Sequence, residues 1–172
     1  MASDAFRSDR PEGVQLISGL TAHDALGPVM QVMQQGFDPS YGEAWNHSQT
    51  RSMLSLPLTH TIIAETIPID DDAGSPIGFA MSRRVADEEE LLLIAVIPQW
   101  RRRCIGSVIL HQVIDNATSA GVSRIFLEMR SNNPAMHFYH QFGFNQVGLR
   151  KDYYTGADSQ RYDALTMMRL LT

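Results

Sequence analysis

A basic turn between a predicted strand and a predicted helix carries the clearest chemical signal in the sequence. An apolar segment ends at Ile97, and Pro98, a run of three arginines (Arg101 to Arg103) and a segment with helical spacing follow it. The free backbone N–H groups and positive dipole of a helix start favour an anion, and arginines add charge-assisted hydrogen bonds to phosphate. Gly106 would let the backbone approach such a ligand closely. The turn therefore predicts a phosphate-binding site.

Other interpretations of the turn remain open at this point. A run of arginines is also typical of a solvated surface, and Cys104, next to arginines at a helix start, is a candidate for a reactive thiol. The dinucleotide pattern G-x-G-x-x-G and the P-loop pattern G-x-x-x-x-G-K-[ST] are both absent from the sequence. Binding of a nicotinamide cofactor and hydrolysis of a nucleotide are therefore not supported.

A second stretch, residues 127–144, combines a carboxylate, a tyrosine and two histidines. Glu128 lies in a segment with the alternation of a strand, and Tyr139 lies in a segment with helical character. A carboxylate can accept a proton from an ammonium group and a tyrosine hydroxyl can donate one, although both side chains are also common in purely structural positions. His137 and His140 are predicted to be surface or packing residues.

Both stretches resemble motifs of the Gcn5-related N-acetyltransferase (GNAT) family. The family motif begins with a strand that ends in V-x-P. An aromatic residue follows, and then Q/R-x-x-G-x-G/A opens a helix. The residues of this chain that match the motif are Val96, Pro98, Trp100, Arg101, Ile105 and Gly106. Cys104 departs from the pattern, because the family nearly always has glycine there.

The second stretch resembles L-E-V-R-x-S-N-x-x-A-x-x-x-Y-x-x-x-G-F of the same family. It is most similar to the bacterial ribosomal-protein alanine N-acetyltransferases, although this chain is one residue shorter between Arg130 and Asn132. The resemblance covers residues 88–170 well. A looser similarity extends to the segment that contains Trp45.

The resemblance implies an enzyme that acetylates an amine with acetyl-coenzyme A (acetyl-CoA). Glu128 would be the base that takes a proton from the amine, and Tyr139 the acid that protonates the leaving thiolate. The implied cofactor-binding residues are Ile94, Ala95, Val96, Arg101, Arg102, Arg103, Cys104, Ile105, Gly106, Ser107 and Asn132. The residues expected to bind the acceptor are Tyr41, Trp45, Tyr153 and Tyr154.

General chemistry narrows the acceptor only in part. The pKa of an α-amino group is about 7.7–8.0, against about 10.4 for lysine, so roughly a tenth of the α-amine but under a thousandth of the lysine is uncharged at neutral pH. One glutamate is therefore a sufficient base for the α-amine of an N-terminal substrate. We expect a protein or peptide N-terminus as acceptor, with a ribosomal protein as a candidate. Acetylation of a small-molecule amine and a non-catalytic CoA-binding module are the alternatives.

Alternating strands and helices are predicted to position these residues. The expected strands are 14–17, 61–67, 77–85, 91–97, 123–130, 147–150 and 164–170. The expected helices are one that Gly36 ends, then 43–54, 104–120 and one that starts at Pro134 and ends at Gly143. Thr21 and Asp24 form a capping pattern for the first helix, although Pro28 leaves its start uncertain.

The order of elements predicts a three-layer α/β fold. The resemblance implies, more specifically, the α/β/α GNAT fold with a mixed, mostly antiparallel central sheet that is splayed at the cofactor site. Residues 91–97 are apolar throughout, which indicates burial on both faces. Residues 70–74 are predicted to form a hairpin turn. The paired tyrosines of 151–156 resemble a loop that protein N-terminal acetyltransferases close over the substrate, which implies a loop there. Residues 1–12 are expected to be a flexible tail, followed by a single N-acetyltransferase domain over 13–172.

Composition limits the possible environments and partners. The 172 residues are 44% hydrophobic and 19% charged, which is typical of a globular protein, and the net charge of -5 argues against nucleic-acid binding. The N-terminus lacks a signal-peptide core, and the longest apolar run is far shorter than the ~20 residues of a membrane span. We therefore expect a cytoplasmic monomer or homodimer that has no membrane partner.

No metal site is expected from the sequence. A single cysteine excludes a cysteine zinc cluster and a disulfide within the chain, and it fits a reducing compartment. The triple Asp70-Asp71-Asp72 lacks the ligand spacing of a calcium loop.

Overall fold

The computed structural model describes residues 11–68, 73–156 and 159–171 of the chain. In chain order the elements are β1 (Val14–Ser18), α1 (Ala22–Gly36), a 3₁₀ turn (Pro39–Tyr41), α2 (His47–Leu54), β2 (Thr59–Thr66), β3 (Pro76–Val85), β4 (Glu88–Val96), a 3₁₀ turn (Pro98–Trp100), α3 (Ile105–Ser119), β5 (Arg124–Arg130), α4 (Met136–Gln141), β6 (Asn145–Thr155) and β7 (Arg161–Leu170). In the described ranges the strands form one sheet in the order β1-β2-β3-β4-β5-β7-β6. All neighbours are antiparallel except β4 and β5.

Helices cover both faces of this sheet, as the three-layer prediction requires. On one face α1 buries Val29 and Val32 against Phe79 of β3. On the other face α3 buries Ile109 and Val113, together with apolar side chains of β5 and α4. The apolar residues of each helix recur three or four positions apart, so they form a stripe that faces the sheet. The predicted α/β/α architecture is therefore confirmed.

The start of α1 is set by a local cap. The Thr21 side chain accepts a hydrogen bond of 3.2 Å from the backbone N–H of Asp24, and the helix begins at Ala22. Pro28 lies inside the helix and does not interrupt it. The Thr21 cap therefore fixes the start of α1, and Pro28 does not shift it.

The second helix begins later than predicted. We expected it to start near Glu43, but α2 starts at His47. Asn46 and Gln49 form a reciprocal capping box in which each backbone N–H donates to the other's side chain, both at 2.9 Å. The box satisfies donors that the helix itself cannot, and Glu43 is left in the preceding loop.

The last hairpin is longer than predicted. Residues 151–156 were expected to be a loop, but β6 continues to Thr155, where it pairs with Arg161 of β7. The pairing is irregular between Arg150 and Tyr154, and Asp152 has a left-handed φ of 53°. The segment that was expected to be a loop is therefore an irregular part of strand β6.

Smaller differences concern single elements. α4 begins at Met136, so Pro134 precedes the helix and does not occupy its first turn. In β4, Leu91 and Ala95 are buried and the residues between them are half-buried, so burial on both faces is incomplete. Residues 1–10 of the expected tail and Asp70 to Asp72 of the expected hairpin turn lie outside the described residues. Of the helices in the described ranges, none combines the length and apolarity needed to cross a membrane.

The sheet opens between β4 and β5. These strands pair only over residues 88–91 and 124–127. β4 has a bulge at Leu92, because Ser82 of β3 pairs with Leu91 while Met81 pairs with Leu93. A bulge bends its strand and increases the local twist, so β4 turns away from β5 directly after the last pair. The predicted splay is confirmed, and its cause lies in β4.

Candidate active site

A cleft of about 860 Å³ lies where the two strands diverge. Its wall contains the end of β4, the start of α3, the segment after β5, α4 and the loop after α1. The predicted site residues in this wall are Tyr41, Ile94, Ala95, Val96, Arg101, Arg102, Cys104, Ile105, Gly106, Ser107, Asn132 and Tyr139. The volume and the position at strand ends are typical of a small-molecule site.

The N-terminus of α3 lies in the cleft wall and has no side-chain cap. The amides of Ile105, Gly106 and Ser107 belong to the first turn, where a helix offers no acceptor of its own. The N-cap residue Cys104 has a left-handed φ of 60°, a conformation that glycine adopts without steric cost. This helix start supplies N–H groups and a positive dipole end, which together favour a phosphate.

The three arginines of the turn have different environments. The Arg101 side chain donates hydrogen bonds to the backbone oxygens of Val96 (3.0 Å) and Gly36 (2.7 Å), so it ties the end of β4 to the end of α1. The Arg103 guanidinium lies 4.9 Å from the centroid of the Trp100 ring. Arg102 lies in the cleft wall. Of the three side chains, Arg102 is therefore the best placed to contact an anion.

Tyr139 lines the cleft from α4 and is only 8% exposed. Its ring contacts the rings of Phe138 and Phe144, with centroids 5.4 Å and 5.8 Å away. Burial, and then the nearby Glu43 carboxylate, raise the pKa of the Tyr139 hydroxyl well above its usual value. The hydroxyl is therefore protonated across the neutral range and can donate a proton or a hydrogen bond.

Glu128 lies on β5, outside the cleft wall. Its carboxylate forms an ion pair with Arg150 and accepts a 3.4 Å hydrogen bond from Thr166 Oγ1, and its side chain is 32% exposed. The pKa of the Tyr154 hydroxyl is raised by burial and then by the carboxylates of Glu128 and Glu43.

A buried ion pair in the cleft wall was not anticipated from the sequence. Arg130 Nε donates to Glu43 Oε1 at 2.9 Å, and the two side chains are 4% and 18% exposed. The Arg130 guanidinium also lies 3.4 Å from the centroid of the Tyr41 ring and donates to Asn132 Oδ1. Alternation along β5 predicts that Arg130 and Glu128 share a face, but no local signal connects Arg130 to a residue 87 positions away.

The profile of the acetyltransferase (GNAT) family matches residues 30–144, which is more than half of the chain. The chain belongs to the GNAT family. The match runs from the second half of α1 through α4, and so includes the predicted phosphate-binding turn.

Named relatives of this GNAT protein include two bacterial enzymes. The [ribosomal protein bS18]-alanine N-acetyltransferase of Haemophilus influenzae is 36% identical over 91 residues, which cover 53% of this chain and 62% of the relative. The enzyme of the same name from Escherichia coli K12 is 37% identical over 95 residues, which cover 55% of this chain and 64% of the relative. The match therefore spans less than two thirds of each relative.

A solved structure extends the similarity to most of the GNAT fold. The crystal structure of the ribosomal-protein-S18-alanine N-acetyltransferase from Escherichia coli has a TM-score of 0.79 and 26% sequence identity to this chain. The alignment covers 92% of this chain and 94% of the other. The splayed sheet and its covering helices are thus shared along almost the whole length of both proteins.

The predicted acceptor residues of this GNAT protein lie at different distances from the cleft. Tyr41 is in its wall, whereas Trp45 packs against the core under α1. Tyr153 and Tyr154 lie on β6, with ring centroids 5.1 Å apart, and Tyr154 is half-buried. Glu128 and Glu43 both contribute, after burial, to the raised pKa of the Tyr154 hydroxyl. Of the four predicted acceptor residues, only Tyr41 belongs to the cleft wall.

Proposed function

We propose that this GNAT protein transfers the acetyl group of acetyl-CoA to the N-terminal α-amine of a protein. The observation that carries the proposal is the shared cleft of the α3 helix start and the Tyr139 hydroxyl. One end of the cleft offers N–H donors to an anion, and another part offers a protonated hydroxyl to a leaving group. This combination matches the two needs of a thioester acyl donor that carries phosphate groups.

The residues of the cleft fit acetyl-CoA. The amides of residues 105–107 and the Arg102 side chain would hold the diphosphate. The backbone of Ile94 to Val96, where β4 has separated from β5, would pair with the amides of the pantetheine arm. Asn132 would add a side-chain hydrogen bond. When bound, acetyl-CoA supplies a thioester whose acetyl group the amine accepts.

Tyr139 and Glu128 divide the proton transfers of the proposed reaction. Tyr139 donates a proton or a hydrogen bond to the thiolate, because its raised pKa keeps the hydroxyl protonated. Glu128 accepts the proton that the ammonium loses, through water or the Tyr154 hydroxyl. Glu128 lies outside the cleft wall, so it would act on the amine indirectly. An indirect base is sufficient for an α-amine, because the pKa of such an amine is only about 7.7–8.0.

An N-terminal acceptor is favoured over other amines by the named relatives, which act on an alanine of ribosomal protein bS18. The resemblance of the paired Tyr153 and Tyr154 to a substrate-covering loop supports the same choice, because the Tyr154 hydroxyl would hydrogen-bond a peptide backbone. A basic ribosomal protein would also suit the net charge of -5. We therefore place the substrate among protein N-termini, with a ribosomal protein as the first candidate.

Mass spectrometry of peptides incubated with the protein and acetyl-CoA tests the proposal. Peptides with an N-terminal alanine and an internal lysine are expected to gain one acetyl group on the α-amine. Matched peptides whose α-amine is already blocked serve as the control and are expected to remain unmodified. Acetylation confined to lysine side chains, or to small amines, would contradict the proposed function.

A further inference from the structure

Glu43 is one of two acidic residues in the cleft wall, the other being Asp38, and its carboxylate is among the causes of the raised pKa of Tyr139. It lies in the loop between α1 and α2 and is held by Arg130 of β5 through contacts of 2.9 Å and 3.5 Å. Glu128, to which we assign proton acceptance, lies outside the cleft wall and is paired with Arg150. Two carboxylates therefore serve the acceptor side, and only Glu43 borders the cavity itself.

Arg130 is fixed so firmly that it determines where Glu43 points. The guanidinium is almost fully buried, stacks on Tyr41 and donates to Asn132 as well as to Glu43. These contacts come from two segments of the chain, the loop between α1 and α2 and the residues directly after β5. Because Arg130 cannot move without losing them, the Glu43 carboxylate is preorganised, and the loop that carries it is pinned to the cleft.

Glu43 retains hydrogen-bonding capacity toward the cavity. A carboxylate offers about four acceptor positions, and Arg130 occupies one on each oxygen. An ammonium group brings three N–H donors and no acceptor, so it complements the remaining positions. Arg130 also offsets much of the Glu43 charge, so an ammonium would be oriented by hydrogen bonds without being held too strongly to lose its proton.

Glu43 lies near both tyrosines of the proposed reaction. Its carboxylate raises the pKa of the Tyr139 hydroxyl and of the Tyr154 hydroxyl, in each case after burial. Glu43 and Tyr139 both line the cleft, so a group bound to Glu43 would share the cavity with the proposed acid.

We propose that Glu43, positioned by Arg130, binds the α-ammonium of the acceptor before Glu128 takes its proton. The inference rests on the proposed N-terminal acetyltransferase function and adds a recognition residue to it. It assigns binding to Glu43, proton acceptance to Glu128 and positioning to Arg130. No bond is formed or broken at Glu43.

The test compares two peptides that differ only at the N-terminus. One has a free α-amine and the other has hydrogen in its place, and calorimetry measures the Kd of each for the protein saturated with CoA. We expect the wild type to prefer the amine by about tenfold, which is the lower range for a hydrogen bond to a charged group. Glu43→Gln is expected to abolish the preference and to raise the KM for the peptide about tenfold, with the affinity for CoA unchanged.

A second variant shows whether an effect of Glu43→Gln comes from a loss of stability. Glu43→Gln leaves the buried Arg130 charge without its partner, which is strongly destabilising, whereas the double variant Glu43→Gln with Arg130→Met removes both charges. The double variant is also expected to show no preference for the amine. Glu88→Gln, which breaks an exposed ion pair with Arg124 at the far end of β4, is the matched control and should behave as wild type.

The outcomes separate the two levels of the proposal. If the wild type acetylates peptide N-termini but both Glu43 variants keep the tenfold preference, the role of Glu43 is refuted and the proposed function stands. If the wild type acetylates no peptide N-terminus, the proposed function itself fails. Loss of the preference in both variants, with CoA binding retained, supports the inference.

Discussion

Replacing Tyr139 with phenylalanine tests the proposed acid with little disturbance of the fold. The substitution removes one oxygen atom and keeps the ring that contacts Phe138 and Phe144. The hydroxyl group borders the cleft, and burial and Glu43 keep it protonated. The variant therefore lacks a donor at the place where the leaving thiolate would form.

The expected effects on stability and on turnover differ widely in size. Loss of one hydroxyl from a retained ring is expected to change the free energy of unfolding by about 1 kcal/mol at most. For a chain of this size that lowers the Tm by about 2–4 °C. Loss of a general acid lowers kcat about 10²–10⁴-fold, or roughly 2.7–5.4 kcal/mol of transition-state free energy. The kinetic effect should therefore exceed the structural one several times over.

Three measurements on the Tyr139→Phe variant separate these effects. Thiol release from acetyl-CoA with a saturating peptide gives kcat, calorimetry gives the Kd for CoA, and thermal denaturation gives the Tm. We expect a large fall in kcat, an unchanged Kd and a small fall in Tm. In the wild type, ionisation of Tyr139 should not depress kcat between about pH 8 and pH 10, because the raised pKa retains the proton beyond the usual tyrosine range. A variant that retains at least half of the wild-type kcat would refute the acid role of Tyr139.

Three further substitutions have distinct expected outcomes. Glu128→Gln should lower kcat more near pH 6 than near pH 9, because an α-amine with a pKa of about 7.7–8.0 is mostly charged only at the lower pH; a pH–rate profile that matches the wild type would exclude Glu128 as the base. Cys104→Gly should raise the Tm by about 2–4 °C, since glycine relieves roughly 1 kcal/mol of left-handed strain. Calorimetry with CoA should then show equal or tighter binding, and a large loss of affinity would show that the cysteine is adapted to the site. Arg101→Ala should lower the free energy of unfolding by about 1 kcal/mol in denaturant titration, because two backbone oxygens lose their donor at an exposed site where water can replace it; unchanged stability would show that the link between β4 and α1 is dispensable.

The sequence predicts best those elements whose signals are local. The helix α3 and its preceding turn were expected within a residue or two, because the apolar spacing, the proline and Gly121 all lie within one segment. The late start of α2 was missed although the Asn46 and Gln49 pattern was present, since Glu43 also favours a helix. The extension of β6 was missed because the loop was inferred from the resemblance of Tyr153 and Tyr154, while pairing with β7 has no local signal in the sequence.

The features of the candidate site were likewise predictable only where their signals lie within one short segment of the sequence. The turn between β4 and α3 and its uncapped helix start could be predicted because one short segment contains all of their parts. The contact between Glu43 and Arg130 could not, because it joins a loop to a strand 87 residues later and depends on how β5 is aligned against that loop. The sequence also gives no means of measuring how far Glu128 lies from the cavity. That distance depends on the splay of the sheet and on the ion pair with Arg150.

The short pairing between β4 and β5 has a mechanical consequence. Only the register from Glu88 to Leu91 joins the strands that carry the two walls of the cleft, so the sheet consists of two leaves that meet at a narrow seam. The leaf of β1 to β4 leads into the basic turn and the start of α3, and the leaf of β5 to β7 carries Glu128 and Arg130. A rotation of a few degrees about the seam would change the cleft width while each leaf keeps its own hydrogen bonds. Beyond Leu91 no backbone pairing holds β4 against β5 in the part of the chain that the structure describes, so side-chain contacts such as the pair of Arg130 and Glu43, and a ligand that bridges both leaves, would set the spacing there.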